Sequence, residues 1–380
     1  MKILQISPYP PSYLGGSEIF CKNLSINLKK LHNIDSVILT SDIFRKNLKT
    51  DIIDGPVKVV YKKFYLNLLG KNPIVNVFNY MKKHYREFDI IHAHSYIFFT
   101  SFQASMLRKM LKFPLVLHIH GGVQTFSMLK SSLIERIQLL SKQYIFDKFI
   151  GKFIIEGSDA IISVSNSDLK YLELIYDISK IKRFWIPNAV DIKKFERKSN
   201  LERKYITFIG RLSYIKGLDI FIKMIEILHE KNKDLKFLIV GNGPLKNLVD
   251  EAKKKLPITH ILHYPYEKIQ DIYKMSKLLI LTSRYEGLPT TILESLASKT
   301  PVIASKVGGV SEIIKNDNNG LLYNLNKYVD TVDKIIELID DQQKLEKFGI
   351  NGFNLVKKKF SWESVTQKVK EVYEEILSVV

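Results

Sequence analysis

Short runs of aliphatic and β-branched residues alternate with segments of helical periodicity along almost the whole chain. KILQIS (2–7), VILT (37–40), VKVVY (57–61), DIIHAH (89–94), PLVLHIH (114–120) and AIISVS (160–165) predict strands. Amphipathic stretches near 17–31, 76–87, 97–111, 126–156 and 166–176 predict helices between most of them. The strands are apolar almost continuously rather than at every second position. Such runs, separated by helices, belong to mostly parallel sheets covered on both faces.

The pattern then starts again. YITFIG (205–210), FLIVGN (237–242), ITHILHY (258–264), KLLILTS (277–283), PVIAS (301–305) and GLLYN (320–324) form a second strand series, with helices expected near 217–230, 244–255, 290–299 and 326–339. Between the two series, residues 186–204 carry a proline and many charges but little apolar periodicity, and are read as a linker. The expected architecture is α/β: two Rossmann-like, doubly wound parallel-sheet domains. No short repeat, low-complexity tract or heptad pattern interrupts it.

Sheets of this kind bind ligands beyond the carboxyl ends of their strands, so residues that follow strands are the candidates for chemistry. In RYEGLPTTILESLASKTPVIAS (284–305), Glu286 lies in the loop after KLLILTS and Glu294 inside the next helix. Gly287 and Pro289 make the turn, and Gly287 lets a ligand approach the backbone closely. The N–H groups from Leu288 through Thr290 and Thr291, at a helix start, suit a phosphate or a sugar hydroxyl. Two carboxylates eight residues apart can accept hydrogen bonds from separate polyol groups; alone, such a pair also reads as two exposed acids flanking a helix. In FIGRLSYIKGLD (208–219), Arg211 and Lys216 stand at one strand exit, where two fixed cations can hold a diphosphate and neutralise a leaving nucleotide.

Two further segments end strands of the first series. In LHIHGGV (117–123), His118 and His120 are assigned to opposite faces, which argues against a paired metal site, and no other His/Cys/Asp cluster supports one. His120, followed by Gly121 and Gly122, is the ligand-facing candidate, and His118 a packed strand residue. His94, ending DIIHAH, is a candidate for lining an acceptor pocket, against a purely structural role. Gly15 and Gly16, in YPPSYLGGSE (9–18), place flexible backbone at a helix start. VGNGPLK (240–246) lacks the third glycine and the downstream acid of a dinucleotide fingerprint.

Composition narrows the setting. A chain of 380 residues exceeds one ordinary core, and 46% hydrophobic with 26% charged residues describes a globular protein. One cysteine excludes an intramolecular disulfide framework and fits a reducing compartment. The start MKILQISPYP lacks a signal-peptide pattern, and no window of about 18 uncharged apolar residues occurs, so a cytoplasmic location is expected. The formal net charge is +19, and residues 1–186 hold 26 Lys and Arg against 14 Asp and Glu. That excess suits a peripheral contact with an anionic membrane surface, or reflects a Lys-rich composition alone. No basic stripe with interleaved aromatics points to nucleic acid.

Taken in order and spacing, GGSE, HIHG, IPNAVD, GRLSYIKG, VGNGP and EGLPTTILESLASKTPVIAS with VGGVSE resemble the large family of retaining GT-B glycosyltransferases, family 4. FSWESVTQKVKEVYEEIL (360–377) is similar to that family's last helix, which crosses back to the first domain. The resemblance implies an acceptor-side domain over 1–186, a nucleotide-sugar domain over 187–359, facing each other across a cleft, and a returning helix over 360–380. It implies a nucleotide-sugar donor of the UDP type, a glycan or lipid-linked acceptor, and no metal or other cofactor. Arg211 and Lys216 would hold the donor diphosphate, Glu286 the sugar hydroxyls and Glu294 the ribose. Backbone at Gly287, Leu288, Pro289 and Thr290 would contact sugar and phosphates, with Gly15 and Gly16 near the phosphates. His120 would lie beside the anomeric carbon, and Asn188 would order the cleft wall.

The sequence departs from the family at three places. Ala189 stands where glycine is usual, YPYEKI replaces a glycine-bearing loop, and EGLPTT replaces the commoner EGFGLP. Two other readings share the architecture: a nucleotide-sugar 2-epimerase, and a non-catalytic sugar-nucleotide-binding protein.

Overall fold

The computed structural model describes residues 1–13, 15–44, 51–54, 57–68, 72–123, 137, 140–197 and 200–378. The chain divides into two compact units, Met1–Asn188 with Trp362–Val380, and Ala189–Ser361.

The first unit is built on an eight-stranded sheet. Its strands are β1 (Lys2–Ile6), β2 (Asp35–Ser41), β3 (Asp51–Asp54), β4 (Val57–Lys62), β7 (Ile90–His94), β8 (Leu115–Ile119), β9 (Ala160–Ser163) and β10 (Lys182–Trp185), in the order β10-β9-β8-β7-β1-β2-β4-β3. Only β3 runs antiparallel to its neighbour. β5 (Phe64–Leu68) and β6 (Asn72–Val75) form a separate antiparallel ribbon. Leu4, Ile6, Leu39, Ile91, Leu117 and Ile161 fill the core between sheet and helices. That is why the strands read as unbroken apolar runs.

The second unit is an all-parallel six-stranded sheet of β11 (Tyr205–Ile209), β12 (Lys236–Val240), β13 (Ile258–Ile261), β14 (Ser276–Leu281), β15 (Val302–Ser305) and β16 (Gly320–Tyr323). The strand order is β13-β12-β11-β14-β15-β16. Chain order reverses between β11 and β14, which makes the loops after these two strands the topological switch point.

Both strand series predicted from the sequence are present. The stretch taken as a linker is not wholly irregular: Ile192–Glu196 is a short helix, capped by Asp191 Oδ1 accepting from the Lys194 N–H at 3.2 Å, with Ile192 and Phe195 buried. The amphipathic pattern over 126–156 yields helical residues 142–156, a π-helical turn followed by an α-helical one; residues 124–136 and 138–139 lie outside those described. No helix among the described residues is long and apolar enough to cross a membrane.

Candidate active site

The switch point of the second unit gathers the charged candidates. Lys216 donates from Nζ to both oxygens of Glu286, at 2.7 and 2.9 Å, and Ser283 Oγ donates to Oε1 at 2.6 Å. A third of the lysine side chain is exposed, whereas Glu286 is buried. The ammonium has three protons, so one remains for a ligand; the carboxylate likewise keeps acceptor capacity.

Backbone geometry fixes this pair. Gly217 has φ +67°, and a Cβ there would run into the carbonyl oxygen of Thr282, the residue that hydrogen-bonds the Lys216 and Gly217 carbonyls. Arg284 straps the same two loops together. It pairs with Asp219 at 2.7 and 2.8 Å, donates to the Tyr214 carbonyl and lies 3.6 Å over the Tyr214 ring. Burial pushes the Asp219 carboxyl up, but the bonds and charge of Arg284 outweigh it and hold the pKa below its usual value.

Arg211 follows Gly210 at the exit of β11. It is exposed and has no hydrogen-bond or ion-pair partner among the described residues. Gly287 accepts from the Gly309 N–H through its carbonyl. Leu288 is buried, so its side chain packs. Pro289 precedes the helix Thr290–Ala297, whose start has no side-chain cap.

Glu294 is buried in that helix. Tyr266 Oη donates to Oε1 at 3.0 Å and Tyr273 Oη to Oε2 at 2.6 Å. Burial raises its pKa, with the tyrosine bonds and the Lys194 charge opposing. Tyr266 comes from the YPYEKI loop, and its ring lies 3.9 Å from Lys194 Nζ. Ser283, Arg284, Asp219 and both tyrosines carry no signal of these roles in the sequence; only the YPYEKI loop that holds Tyr266 stands out, as a departure from the family pattern.

The first unit builds differently. Its sheet-end network is made of neutral groups. His94 Nε2–H donates to Gln5 Oε1 at 2.8 Å, leaving Nδ1 to accept from His120 Nε2–H at 2.9 Å. Gln5 Nε2 donates to Tyr373 Oη at 3.4 Å, and the Tyr373 hydroxyl donates to His92 Nδ1 at 2.6 Å. Tyr373 belongs to the helix Trp362–Leu377. Burial lowers the pKa of His92 and His120 to about 3, against a raising hydrogen bond from Asn188 at His120. His94 and His118 lie well below the usual value for the same reason.

Three expectations need correction here. His118 and His120 share a face, their ring centroids 4.3 Å apart and stacked, because residues two apart on a strand point the same way. His94 is wholly buried with both nitrogens bonded, so it lines no acceptor pocket; it holds His120. A histidine cluster also exists, since His92, His94 and His118 each bring a nitrogen within 4.8 Å of the others. It does not fit an ion in this arrangement. The three rings stack at 4.6 to 5.6 Å with planes within 22°, so in-plane lone pairs run side by side rather than converging as tetrahedral ligation requires.

Gly15 precedes the helix Gly16–His32, whose start also lacks a side-chain cap. A Cβ at Gly15 would meet Glu18 and the Tyr13 ring, whereas Gly16 faces open space.

The family models agree with this construction. Residues 14–194 match Glycosyltransferase Family 4, and residues 190–355 match Glycosyl transferases group 1. A glycosyltransferase of Methanocaldococcus jannaschii is 30% identical over 382 residues, covering 99% of each chain. A UDP-Gal:alpha-D-GlcNAc-diphosphoundecaprenol alpha-1,3-galactosyltransferase of Escherichia coli is 26% identical over 362 residues, covering 85% of each. Among solved structures, sucrose-phosphate synthase from Thermosynechococcus elongatus superposes with a TM-score of 0.82 at 17% identity, covering 100% of each chain. The chain belongs to the GT-B glycosyltransferases of the group 1 and family 4 type.

Proposed function

We propose that this protein transfers a sugar from a UDP-sugar to a hydroxyl of a glycan or lipid-linked acceptor, with retention of anomeric configuration and without a metal ion. The observation that carries the reading is the switch-point set of the second unit: Arg211, without a partner among the described residues at the exit of β11, and in the same loop a Lys216 that keeps one free proton on a buried, bidentate-bonded Glu286. Lys216 and Glu286 neutralise each other, so Arg211 leaves the loops with net positive charge toward a diphosphate. Glu286 then accepts from donor-sugar hydroxyls with its remaining lone pairs, and the uncapped start of the helix Thr290–Ala297 offers N–H groups.

In the reaction the acceptor oxygen bonds to the anomeric carbon as the carbon–phosphate-oxygen bond breaks on the same face. The acceptor proton passes to the departing phosphate, whose charge Arg211 and Lys216 stabilise. His120, kept neutral, is the first unit's proposed contact to the donor sugar. A lipid-linked acceptor is supported by the name of the Escherichia coli relative and by the basic excess of residues 1–186.

The test is transfer from UDP-sugars to a lipid extract, read by mass spectrometry, for the wild type, Arg211→Ala and Lys216→Ala. Each variant is expected to lose about 10²–10³ in turnover while keeping its circular dichroism spectrum. Near-normal turnover in either folded variant removes the assignment. An isomerised sugar formed without acceptor would replace transfer by epimerisation, and activity lost to chelator and restored by Mg²⁺ would overturn metal independence.

A further inference from the structure

The second unit carries another cationic cavity, at the opposite ends of its strands from Arg211 and Lys216. It has a volume of about 200 Å³ and is lined by Glu196, Arg197, Arg203, Lys274, Ser298 and Lys299, among others. Arg203 precedes β11, Lys274 precedes β14, and Ser298 and Lys299 precede β15. These are the amino ends of parallel strands, where the switch-point argument for donor binding does not apply.

Part of this positive charge has a structural use. Arg203 donates to the Ser276 and Ser298 carbonyls and to Thr300 Oγ1, at 3.1, 2.6 and 2.7 Å, and so closes the end of the helix Thr290–Ala297. Lys299 Nζ lies 5.0 Å from the centroid of the Phe353 ring. The other groups have no such use. Lys274 is only 8% exposed and has no hydrogen-bond or ion-pair partner among the described residues. The nearest charges it feels are Asp271, which favours the ammonium, and Arg197 and Arg203, which oppose it. Ser298 is 5% exposed and its Oγ has no partner. Arg197 is exposed and likewise unpaired among the described residues.

Four cations thus face one carboxylate, Glu196. The Ser298 hydroxyl is buried without a hydrogen bond, which costs free energy. That cost falls if a ligand that also meets the unpaired Lys274 ammonium supplies an acceptor to the same cavity. An excess of three positive charges, presented from several directions, suits a tetrahedral dianion better than a carboxylate, which offers one charge in one plane. We propose that this cavity binds a phosphoryl group through Lys274, Arg197 and Ser298, as a second anion site separate from the donor loops.

The experiment measures the thermal midpoint of the full chain against inorganic phosphate, with ionic strength held constant by NaCl. It uses the Arg211→Ala/Lys216→Ala variant so that the donor loops do not report. Phosphate is expected to raise the midpoint saturably. Adding Lys274→Met should weaken the apparent affinity about tenfold or more, the loss of one charge-assisted hydrogen bond. Without phosphate, Lys274→Met should melt near the temperature of its parent, because it breaks no hydrogen bond or ion pair among the described residues. Arg197→Gln, at an exposed position, gives the same phosphate readout should Lys274→Met fail to fold. Phosphatidylcholine vesicles with and without phosphatidic acid separate the sources. Lys274-dependent binding to phosphatidic acid with no response to phosphate assigns the site to a lipid headgroup. No response to either, or one unchanged by both substitutions, overturns the proposal.

Discussion

The two units place polar side chains at the carboxyl ends of similar parallel sheets, yet hold them by opposite means. In the first, three of four stacked histidines, His92, His94 and His120, are joined with Gln5 and Tyr373 by neutral hydrogen bonds under nearly complete burial. In the second, Lys216–Glu286 and Arg284–Asp219 are ion pairs with one partner of each nearer to water. Burial decides the difference. A charged imidazole costs too much in a dry sheet end, while a lysine one-third exposed reaches water and pairs with a covered carboxylate. The first unit therefore offers direction and shape to a ligand, the second offers charge.

Acid should separate the two most strongly. The histidines have depressed folded pKa values, so between those values and about 6.5 the unfolded chain binds more protons than the folded one. The stability they contribute is complete above about pH 6.5 and is lost as pH falls, by up to about 1.4 kcal/mol per pH unit for each group. Asp219, also depressed, loses its contribution only below about pH 4. Glu294, whose pKa is raised, has the opposite sign: it gains stability as pH falls through its folded pKa. Hydrogen exchange followed from pH 7 to pH 5 should show residues 90–94 and 115–120 losing protection while 277–283 keep it. Equal loss in both would break the contrast.

Breaking the ionic network comes next. Lys216→Met leaves buried Glu286 with only Ser283, and about 2 kcal/mol of stability should be lost, less than for a fully buried pair because the lysine is partly exposed. Urea unfolding measures it, and a change below a few tenths of a kcal/mol would show the pair to be incidental. Tyr273→Phe removes a donor from Glu294 Oε2 and should cost about 1–2 kcal/mol, raising the Glu294 pKa further; a titration that finds it lowered contradicts the assignment. Tyr373→Phe should cost about 1 kcal/mol by leaving His92 Nδ1 unpaired, and should loosen His120 through Gln5 and His94. Unchanged hydrogen exchange around residue 120 in that variant would show that the chain of bonds carries nothing.

The strand series and most helices were legible because continuous apolar runs and helical periodicity record burial directly. The helix Gln342–Lys359 was not; it holds two poor helix formers, Gly349 and Gly352. They are close-approach positions: a Cβ on Gly349 would strike the Lys299 backbone, and one on Gly352 the Leu296 side chain. β10 was missed because KRFW carries two cations and only half-buried aromatics at the sheet edge. Of the site, the residues that follow strands could be named from position alone. Their partners could not, because Arg284 with Asp219, and Tyr273 with Glu294, are joined by loop folding across 65 and 21 residues. The histidine network was misread through an error in strand parity, and its closing member lies 368 residues from Gln5.

That separation bears on how the protein matures. The early strands of the first unit leave the ribosome first, yet Gln5 cannot donate to Tyr373, nor His92 accept from it, until residue 373 has been synthesised. All of residues 189–361 are made in between, time enough for a separate domain to fold. The unit that starts first is thus finished last, and nascent chains stalled before residue 373 should hold a folded second unit beside a first unit whose histidine stack is still unlocked.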